Sequence, residues 1–361
     1  MTAEAPILET RDIVKHFGGG TGLAAGPLVH AVDPISLSVN RGETFAIVGE
    51  SGCGKSTLAR LLLRLIEPTS GQIYYEGQDL TALTPTQMRK LRAEMQFIFQ
   101  DPFSSLNPRM KVRTLVEEPL LVHTRLSARE RRTRVDELLR QVGLRPEYAD
   151  RYPHEFSGGQ RQRIGIARAL ASGPKLLIGD EPVSALDVSV RAQIINLLDE
   201  LKGAFGLTLV IISHDLAVIR HMSDRVAVMY LGQIVETAPV ESLFERPLHP
   251  YTQALIQAIP VPAPGARDPG DRRLKGDIPS PVAPPPGCRF HTRCPHAVEI
   301  CHQKEPFLEA AGEGRFVACH RWSELPQRGF TGQVGAALTP GAERRFALYR
   351  ERSAADAGGT P

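Results

Sequence analysis

The amino-acid sequence predicts an α/β fold, and three observations support this prediction. Short apolar runs, typical of strands buried on both faces, occur at 44–48, 176–178 and 207–212. Amphipathic helical patterns lie between these runs, as in folds where strands and helices alternate. A glycine-rich loop directly follows the first run and leads into a helical pattern. A mainly parallel sheet covered by helices is therefore expected.

Two helical patterns carry this prediction. The first begins at Lys55, and we expect Pro68 to end it, because proline cannot continue a helix. The second follows the run at 176–178. The apolar positions at helical spacing are Leu58, Leu61, Leu62 and Leu65 in the first helix, and Val190, Ile194, Leu197, Leu198 and Leu201 in the second.

Residues 100–173 show almost no strand pattern and several helical ones, which predicts a helical subdomain inserted into the α/β core. The basic run Arg125–Arg134 within it is interpreted as a solvated helix face, with a lipid or nucleic-acid contact as the alternative. Further along, nine prolines between 260 and 286 favour extended chain that links two parts or lies along the surface. These patterns predict a large α/β domain at 1–260, a linker at 261–286, a cysteine-rich domain at 287–325 and a frayed tail at 326–361.

Composition limits the possible functions. The chain has 361 residues, 42% hydrophobic and 23% charged, which is typical of a globular protein of about two domains. Lys plus Arg is 43 and Asp plus Glu is 40, so a net charge of +3 excludes binding to nucleic acid or anionic lipid by bulk charge. No apolar run approaches the roughly 20 residues of a membrane span, and the N-terminus has no secretory pattern. We expect a cytosolic chain unless a partner holds it at a membrane.

The glycine-rich loop Gly49–Thr57 matches G-x-x-x-x-G-K-[ST] in full. Backbone N–H groups of such a loop, together with the helix N-terminus that follows, bind phosphate oxygens. Lys55 can reach the β- and γ-phosphates, and the Ser56 hydroxyl can bind Mg²⁺. Cys53 occupies a variable position and is interpreted as a bystander. The predicted nucleotide-binding residues of the loop are Gly49, Ser51, Gly52, Cys53, Gly54, Lys55, Ser56 and Thr57.

Two adjacent carboxylates, Asp180 and Glu181, end the apolar run that begins at Leu176. Because side chains alternate along a strand, the two carboxylates have different orientations and can perform different tasks. The first is expected to bind Mg²⁺, directly or through water, and the second to polarise an attacking water. The pattern favours a catalytic pair over surface charge.

The order of further motifs identifies a family. The stretch Phe156–Gln160, followed by a helical pattern, resembles the signature motif of ABC-transporter ATPases. Gln100 resembles the Q-loop glutamine, Asp187 the D-loop aspartate, and His214 the switch histidine of that family. Phe17 stands at a suitable distance before the phosphate loop for the aromatic residue that stacks on adenine. The resemblance covers residues 1 to about 260 and implies a P-loop NTPase (RecA-like) ABC ATPase core.

The family resemblance also implies roles for these residues. Glu181, His214 and Gln100 would be catalytic, and Ser56, Gln100 and Asp180 would hold Mg²⁺. ATP would lie between two ATPase subunits, held by the phosphate loop of one and capped by the signature motif of the other. Asp187 would connect the two sites. The implied signature residues are Ser157, Gly158, Gly159 and Gln160.

A closer resemblance is to the oligopeptide/dipeptide importer branch. It is carried by Ser104–Arg109, Tyr152–Glu155, Pro247–Thr252 and the cysteine-bearing extension, and the stretch 158–170 is most similar to the second ATPase subunit of the pair. Phe156 and Gly179 depart from the usual residues, without removing a polar group that the chemistry needs. The branch implies ATP-driven import of di- or oligopeptides. Alternatives are another solute such as nickel or a sugar, a non-transport ABC ATPase, and an iron–sulfur redox sensor with a vestigial nucleotide domain.

The resemblance implies partners as well. Two transmembrane permease subunits would be driven from the cytoplasmic side of the inner membrane, one of their cytoplasmic helices entering a groove between Gln100 and the helical subdomain. A paralogous ATPase subunit, or a second copy of this chain, would complete the nucleotide sites. An extracytoplasmic solute-binding protein would act indirectly, and no nucleic-acid partner is expected.

Four of the five cysteines lie within 32 residues, spaced C-x5-C-x6-C-x17-C: Cys288, Cys294, Cys301 and Cys319. In a reducing compartment such a cluster is more often a metal site than a disulfide framework. The spacing lacks paired CxxC motifs, and four thiolates can hold either Zn²⁺ or a [4Fe–4S] cluster. The importer branch implies the [4Fe–4S] cluster; Zn²⁺ and unmetallated thiols or disulfides remain alternatives. Nearby histidines 291, 296, 302 and 320 could substitute as ligands, but they are expected around the site or at the surface.

Overall fold

A computed structural model describes residues 5–19, 26–101, 105–259, 276–312, 314–327 and 329. Its main sheet has eight strands in the spatial order β11-β12-β10-β9-β3-β8-β7-β6. The four strands β3, β8, β7 and β6 run parallel to one another, so their carboxyl ends meet at one edge. The strands of this sheet are β3 (Thr44–Val48), β6 (Met95–Ile98), β7 (Leu176–Asp180), β8 (Thr208–Ser213), β9 (Arg225–Tyr230), β10 (Gln233–Pro239), β11 (Glu309–Ala310) and β12 (Phe316–Val317).

A smaller antiparallel sheet has the order β2-β1-β4-β5. Its strands are β1 (Leu8–Phe17), β2 (Val29–Val39), β4 (Ser70–Tyr75) and β5 (Gln78–Asp79). The first strand ends at Phe17, which places this aromatic side chain at the margin of the sheet.

Helices cover the sheets and form the predicted helical region. They are α1 (Lys55–Leu62), α2 (Pro85–Leu91), α3 (Val112–His123), α4 (Ala128–Gln141), α5 (Gly158–Leu170), α6 (Val188–Phe205), α7 (Leu216–Met222), α8 (Val240–Glu245), α9 (Pro250–Gln257) and α10 (Glu299–Gln303). No strand occurs between 100 and 173 in the residues that the structure describes. The α4 helix exposes Arg129 and Arg132 and buries Val135 and Leu138, so the solvated-face interpretation of the basic run fits.

The predicted end of the first helix was wrong. The α1 helix ends at Leu62, six residues before Pro68, because Arg64 takes a left-handed conformation with φ +47°. The N–H groups of Arg64 and Leu65 bond back to Leu61 and Arg60, which closes the helix in a turn. Leu65 therefore leaves the apolar face and is 40% exposed.

The two faces of the main sheet pack into two hydrophobic cores. Along β3, Ala46 and Val48 enter one core and Phe45 and Ile47 the other, as expected for a strand buried on both faces. The predicted apolar runs at 44–48, 176–178 and 207–212 are thus confirmed as central strands. The second predicted helix is also confirmed, since α6 buries its apolar side from Ile194 to Leu201.

The cysteine-rich segment pairs with the main sheet and packs into its hydrophobic core. Its strand β12 pairs with β10, and Phe290 is fully buried in the larger core. In the described part of the proline-rich stretch, Pro281 accepts a hydrogen bond from the His30 N–H at 2.9 Å, so this part lies along the surface. The rest of that stretch and most of the tail lie outside the described residues. None of the described helices is long and apolar enough to cross a membrane.

Candidate nucleotide site

The phosphate loop lies where β3 ends and α1 begins. Gly54, at the helix N-cap, has φ +105°, and a Cβ atom there would lie 2.1 Å from the Ala31 carbonyl oxygen. Only glycine fits this position, because the backbone is left-handed and the neighbouring chain approaches so closely. The N–H groups of the first turn of α1 follow the loop directly, and a loop that leads into a helix N-terminus is suited to bind phosphate.

Lys55 is buried inside the loop, with 5% of its surface exposed. Its ammonium group donates hydrogen bonds to the carbonyl oxygens of Gly49 and Glu50, both at 2.8 Å. Buried ammonium groups need such partners, and phosphate oxygens would serve equally well. Cys53 is buried beside Lys55, and burial raises the pKa of its thiol, which fits the bystander interpretation.

Two of the predicted magnesium ligands, one in the phosphate loop and one at the end of β7, are hydrogen-bonded to each other. The Ser56 hydroxyl donates to Asp180 Oδ1 at 2.9 Å, although 124 residues separate them. Asp180 is 2% exposed, and burial raises the pKa of its carboxyl group. A divalent cation between the hydroxyl and the carboxylate would supply the charge compensation that the buried carboxylate lacks.

Three predicted catalytic residues come together at the carboxyl ends of β6, β7 and β8. Glu181 Oε2 accepts a hydrogen bond from Gln100 Nε2 at 3.1 Å, and Glu181 Oε1 lies 3.1 Å from His214 Nδ1. Glu181 is a non-glycine residue at φ +46°, held by its N–H bond to the Ile212 carbonyl. Such local strain is typical of functional positions.

The signature residues form a separate unit. The Ser157 hydroxyl accepts from the Gln160 N–H, and the Gln160 side chain accepts from the Ser157 N–H, so a capping box starts α5. Among the described residues, no hydrogen bond joins this turn to the phosphate loop of the same chain. Asp187, at the start of α6, is exposed, and neighbouring Val188 is 81% exposed. Both regions are thus available to another molecule.

Phe17 is 42% exposed, and the Lys15 ammonium lies 5.0 Å from its ring centroid. An exposed aromatic ring with a cation on one face leaves the other face free to stack on a base.

A groove of about 590 Å³ separates the main sheet from the helical region. Its walls include Phe97, Phe99 and Leu65 on the sheet side and Glu118, Pro119 and Arg168 on the helical side. Phe99 is 43% exposed and stands directly before Gln100. The groove therefore joins an open apolar surface to the catalytic cluster.

The four clustered cysteines line one cavity, which is also bordered by His249, Phe290, His296 and His320. Burial raises the pKa of Cys288 to about 12 and that of Cys319 to about 11. Of the residues described, only His16, His30 and Asp33 bring three ligand atoms within 4.8 Å of one another. No three of the cysteine sulfurs are thus that close together. Histidines 291 and 302 contact each other, with ring centroids 4.4 Å apart.

The sequence analysis missed two contacts to Glu50, in the phosphate loop. Arg293, next to Cys294, forms two parallel hydrogen bonds with the Glu50 carboxylate, at 2.7 and 3.0 Å. The hydroxyl of Tyr251 accepts from the Glu50 N–H at 2.9 Å. Chain separations of 243 and 201 residues leave no local sequence signal for either contact.

The fold and these motifs define an ATP-hydrolysing cassette of the ABC class. Residues 32–184 match the ABC transporter family, and residues 235–301 match the C-terminal region of oligopeptide/dipeptide transporters. The chain is also similar to a dimeric ATP-binding cassette, MJ0796, in a post-hydrolysis state with ADP and phosphate. That likeness has a TM-score of 0.58 and 30% identity, over 64% of this chain and 98% of that one.

Two curated relatives narrow the class. The oligopeptide transport ATP-binding protein AppF of Bacillus subtilis is 53% identical, over 90% of this chain and all of its own length. The dipeptide transport ATP-binding protein DppF of Escherichia coli K12 is 49% identical, over 91% of this chain and 98% of its own length. The chain therefore belongs to the family of oligopeptide/dipeptide ABC transporter ATP-binding subunits, as the sequence motifs predicted.

Proposed function

We propose that this chain powers the import of di- or oligopeptides through a membrane permease, by binding and hydrolysing ATP on the cytoplasmic side of the inner membrane. The observation that carries the proposal is the contact of Glu181 with both Gln100 and His214, beside a complete phosphate loop. The names of the relatives support peptides as the solute class.

In the proposed mechanism, Lys55 and the loop N–H groups hold the phosphates. Ser56, Asp180 and Gln100 would hold Mg²⁺. The metal ion would neutralise charge on the phosphate oxygens. Glu181 orients or deprotonates the attacking water, because its carboxylate is fixed from two sides. His214 and Gln100 position that carboxylate and contact the γ-phosphate side. These tasks are positioning and charge stabilisation, as phosphoryl transfer requires.

A second ATPase subunit completes each site in this proposal, and a paralogue is favoured over a second copy. The exposed signature turn at Ser157 and the exposed Asp187 support a second subunit, since no hydrogen bond among the described residues joins either of them to the phosphate loop. The Ser157 turn opens α5 and offers an anion-binding helix N-terminus to the γ-phosphate held by the other subunit. Hydrolysis weakens this cross-subunit contact, so ATP shifts the population between closed and open pairs.

The groove beside Gln100 is the proposed permease site. Its apolar wall at Phe99 and Leu65 and its direct connection to Gln100 support a cytoplasmic helix as occupant. Residues 1–260 would act as the ATPase domain, with the helical subdomain at 100–173 as the moving part.

Reconstitution with the cognate permease and binding protein tests this function. Proteoliposomes containing Mg-ATP should accumulate labelled di- or oligopeptides, and Glu181→Gln should stop both uptake and hydrolysis while ATP still binds. Glu245→Gln, an exposed change in α8 outside the residues proposed for the site, is the matched control and should leave uptake unchanged. Uptake of a metal ion or sugar in place of peptides would overturn the solute assignment, and wild-type turnover in Glu181→Gln would overturn the catalytic one.

We also propose that the four cysteines hold a [4Fe–4S] cluster. A tetrahedral zinc site with Zn–S bonds of about 2.3 Å needs sulfurs about 3.8 Å apart. No three of the cysteine sulfurs, all in the described part of the chain, come within 4.8 Å of one another. Four sulfurs that line one cavity suit a cubane, in which each thiolate binds a different iron. The cluster would act as a structural crosslink within 287–325.

Metal and sulfide assays on anaerobically purified chain decide between the alternatives. We expect about four irons and four sulfides per chain, as a [4Fe–4S] cluster requires. Cys294→Ser should lose most of this iron, whereas Cys53→Ser, which changes the one cysteine outside the cluster, should keep it. One zinc per chain, or no metal at all, would overturn the proposal.

A further inference from the structure

A side chain of the cysteine-rich segment contacts the phosphate loop directly. Arg293 directly precedes Cys294 and forms a two-pronged ion pair with Glu50, the second residue of the loop. The Arg293 side chain is 5% exposed and that of Glu50 is 24% exposed, so the pair is largely shielded from water. Paired guanidinium–carboxylate bonds of this kind fix orientation as well as charge.

Glu50 is placed where its conformation matters to nucleotide. Its carbonyl oxygen accepts from the Lys55 ammonium, and its N–H donates to Tyr251. The carboxylate of the same residue is an anion within a loop that binds anions. Left unpaired, it would repel a triphosphate, because like charges in a shielded site interact strongly.

A second arginine of the segment strengthens the same connection. Arg289, next to Cys288, donates to the Leu231 carbonyl at 2.5 Å and to the Asp33 carboxylate. The following residue, Gly232, donates its N–H to the Cys53 carbonyl in the phosphate loop at 2.9 Å. Both arginines are adjacent to cysteines of the cluster, so the position of the segment and that of the loop are coupled.

We infer that Arg293 is a positioning residue for the nucleotide site: it neutralises Glu50 and turns its carboxylate away from the phosphates. The C-terminal segment thereby completes the phosphate loop in cis. This inference rests on the proposed ATP site and adds a residue to it from outside the ATPase core.

The test is titration of the purified full-length chain with a fluorescent ATP analogue and Mg²⁺. Arg293→Gln should raise the Kd about tenfold, as expected when one member of a partly shielded ion pair is left alone. Glu50→Gln should bind ATP at least as tightly as wild type, because it removes the anion. The double variant should return to within about threefold of the wild-type Kd, since the two residues act as a pair.

Two controls separate positioning from general damage. Arg131→Gln removes another half-buried Arg–Glu pair, with Glu117 in the helical region, and should leave the Kd unchanged. Arg293→Lys keeps the charge and should lose less than threefold in affinity. Iron content and melting temperature of Arg293→Gln should match those of the double variant, so that neither explains the difference in Kd.

Two results would overturn the inference. One is an unchanged Kd in Arg293→Gln, and the other is a double variant that binds the ATP analogue as weakly as Arg293→Gln alone. If Arg293→Gln were not recovered folded, Glu50→Gln decides the matter, and weaker ATP binding in that variant would contradict the charge argument. Failure of the wild-type chain to bind ATP would instead refute the proposed function, so the two failures are distinguishable.

Discussion

Replacement of Glu236 by leucine should destabilise the attachment of the C-terminal segment. Glu236 lies in β10, fully buried, opposite Val317 of β12. Its carboxylate accepts hydrogen bonds from the N–H groups of Leu248 and His249, at 2.9 and 2.8 Å. A third partner, Arg315, lies 3.7 Å away and is 5% exposed. Leucine has a similar size but would leave all three partners without the carboxylate.

The expected magnitude follows from these partners. Each buried N–H that loses its acceptor costs about 1–3 kcal/mol, and a buried arginine that loses its carboxylate partner adds to this cost. We expect Glu236→Leu to lower the free energy of unfolding by about 4 kcal/mol. Glu236→Gln keeps one oxygen acceptor and should cost about half as much.

Urea unfolding measures this loss. The single tryptophan, Trp322, lies in the C-terminal segment, so its fluorescence reports this region, and circular dichroism reports the whole chain. With a slope of about 2–3 kcal/mol per molar, a loss of 4 kcal/mol lowers the midpoint by about 1.3–2 M. The exposed Glu245→Gln control should shift it by less than about 0.3 M. A shift that small in Glu236→Leu would refute the reasoning.

Three further predictions concern the nucleotide site. Gly54→Ala should abolish binding of a fluorescent ATP analogue, because its Cβ would meet the Ala31 carbonyl, whereas Gly77→Ala, at φ +78° with open space around it, should bind normally. Phe17→Ala should raise the KM for ATP about tenfold in steady-state assays, since base stacking contributes about 1–3 kcal/mol, with little change in melting temperature; an unchanged KM would contradict the stacking role. Ser56→Ala should raise the Mg²⁺ concentration needed for half-maximal turnover, and an unchanged Mg²⁺ dependence would argue against Ser56 as a ligand.

Most of the nucleotide site could be predicted from sequence, because its parts are carried by short motifs at strand ends. Gln100, Glu181 and His214 are far apart along the chain, yet each follows one of the parallel strands of the main sheet. The family resemblance predicted that these side chains act together, and the meeting of the carboxyl ends of parallel strands at one edge explains why the structure places them side by side. The contacts at 3.1 Å agree with that expectation. The strand that precedes Gln100, β6, is not among the apolar runs that the sequence predicted.

Other features depend on packing that no local pattern reports. The early end of α1 arises from the left-handed turn at Arg64, a residue type that gives no helix-ending signal. The cysteine-rich segment appeared to be separate because the proline-rich stretch precedes it. In fact two short strands and Phe290 build it onto the sheet and core. The pairing of Arg293 with Glu50 is a consequence of that attachment.

The central claim is that ATP, held by one subunit and capped by another, closes the pair of ATPase subunits. Light scattering of the purified subunit pair, each catalytic glutamate changed to glutamine (Glu181→Gln in this chain), measures it most directly. The account predicts a stable dimer with Mg-ATP and separate subunits with ADP, and loss of the ATP-bound dimer when Ser157→Arg blocks the signature turn. Subunits that stay apart with Mg-ATP, both in solution and in the complete permease assembly, would contradict it.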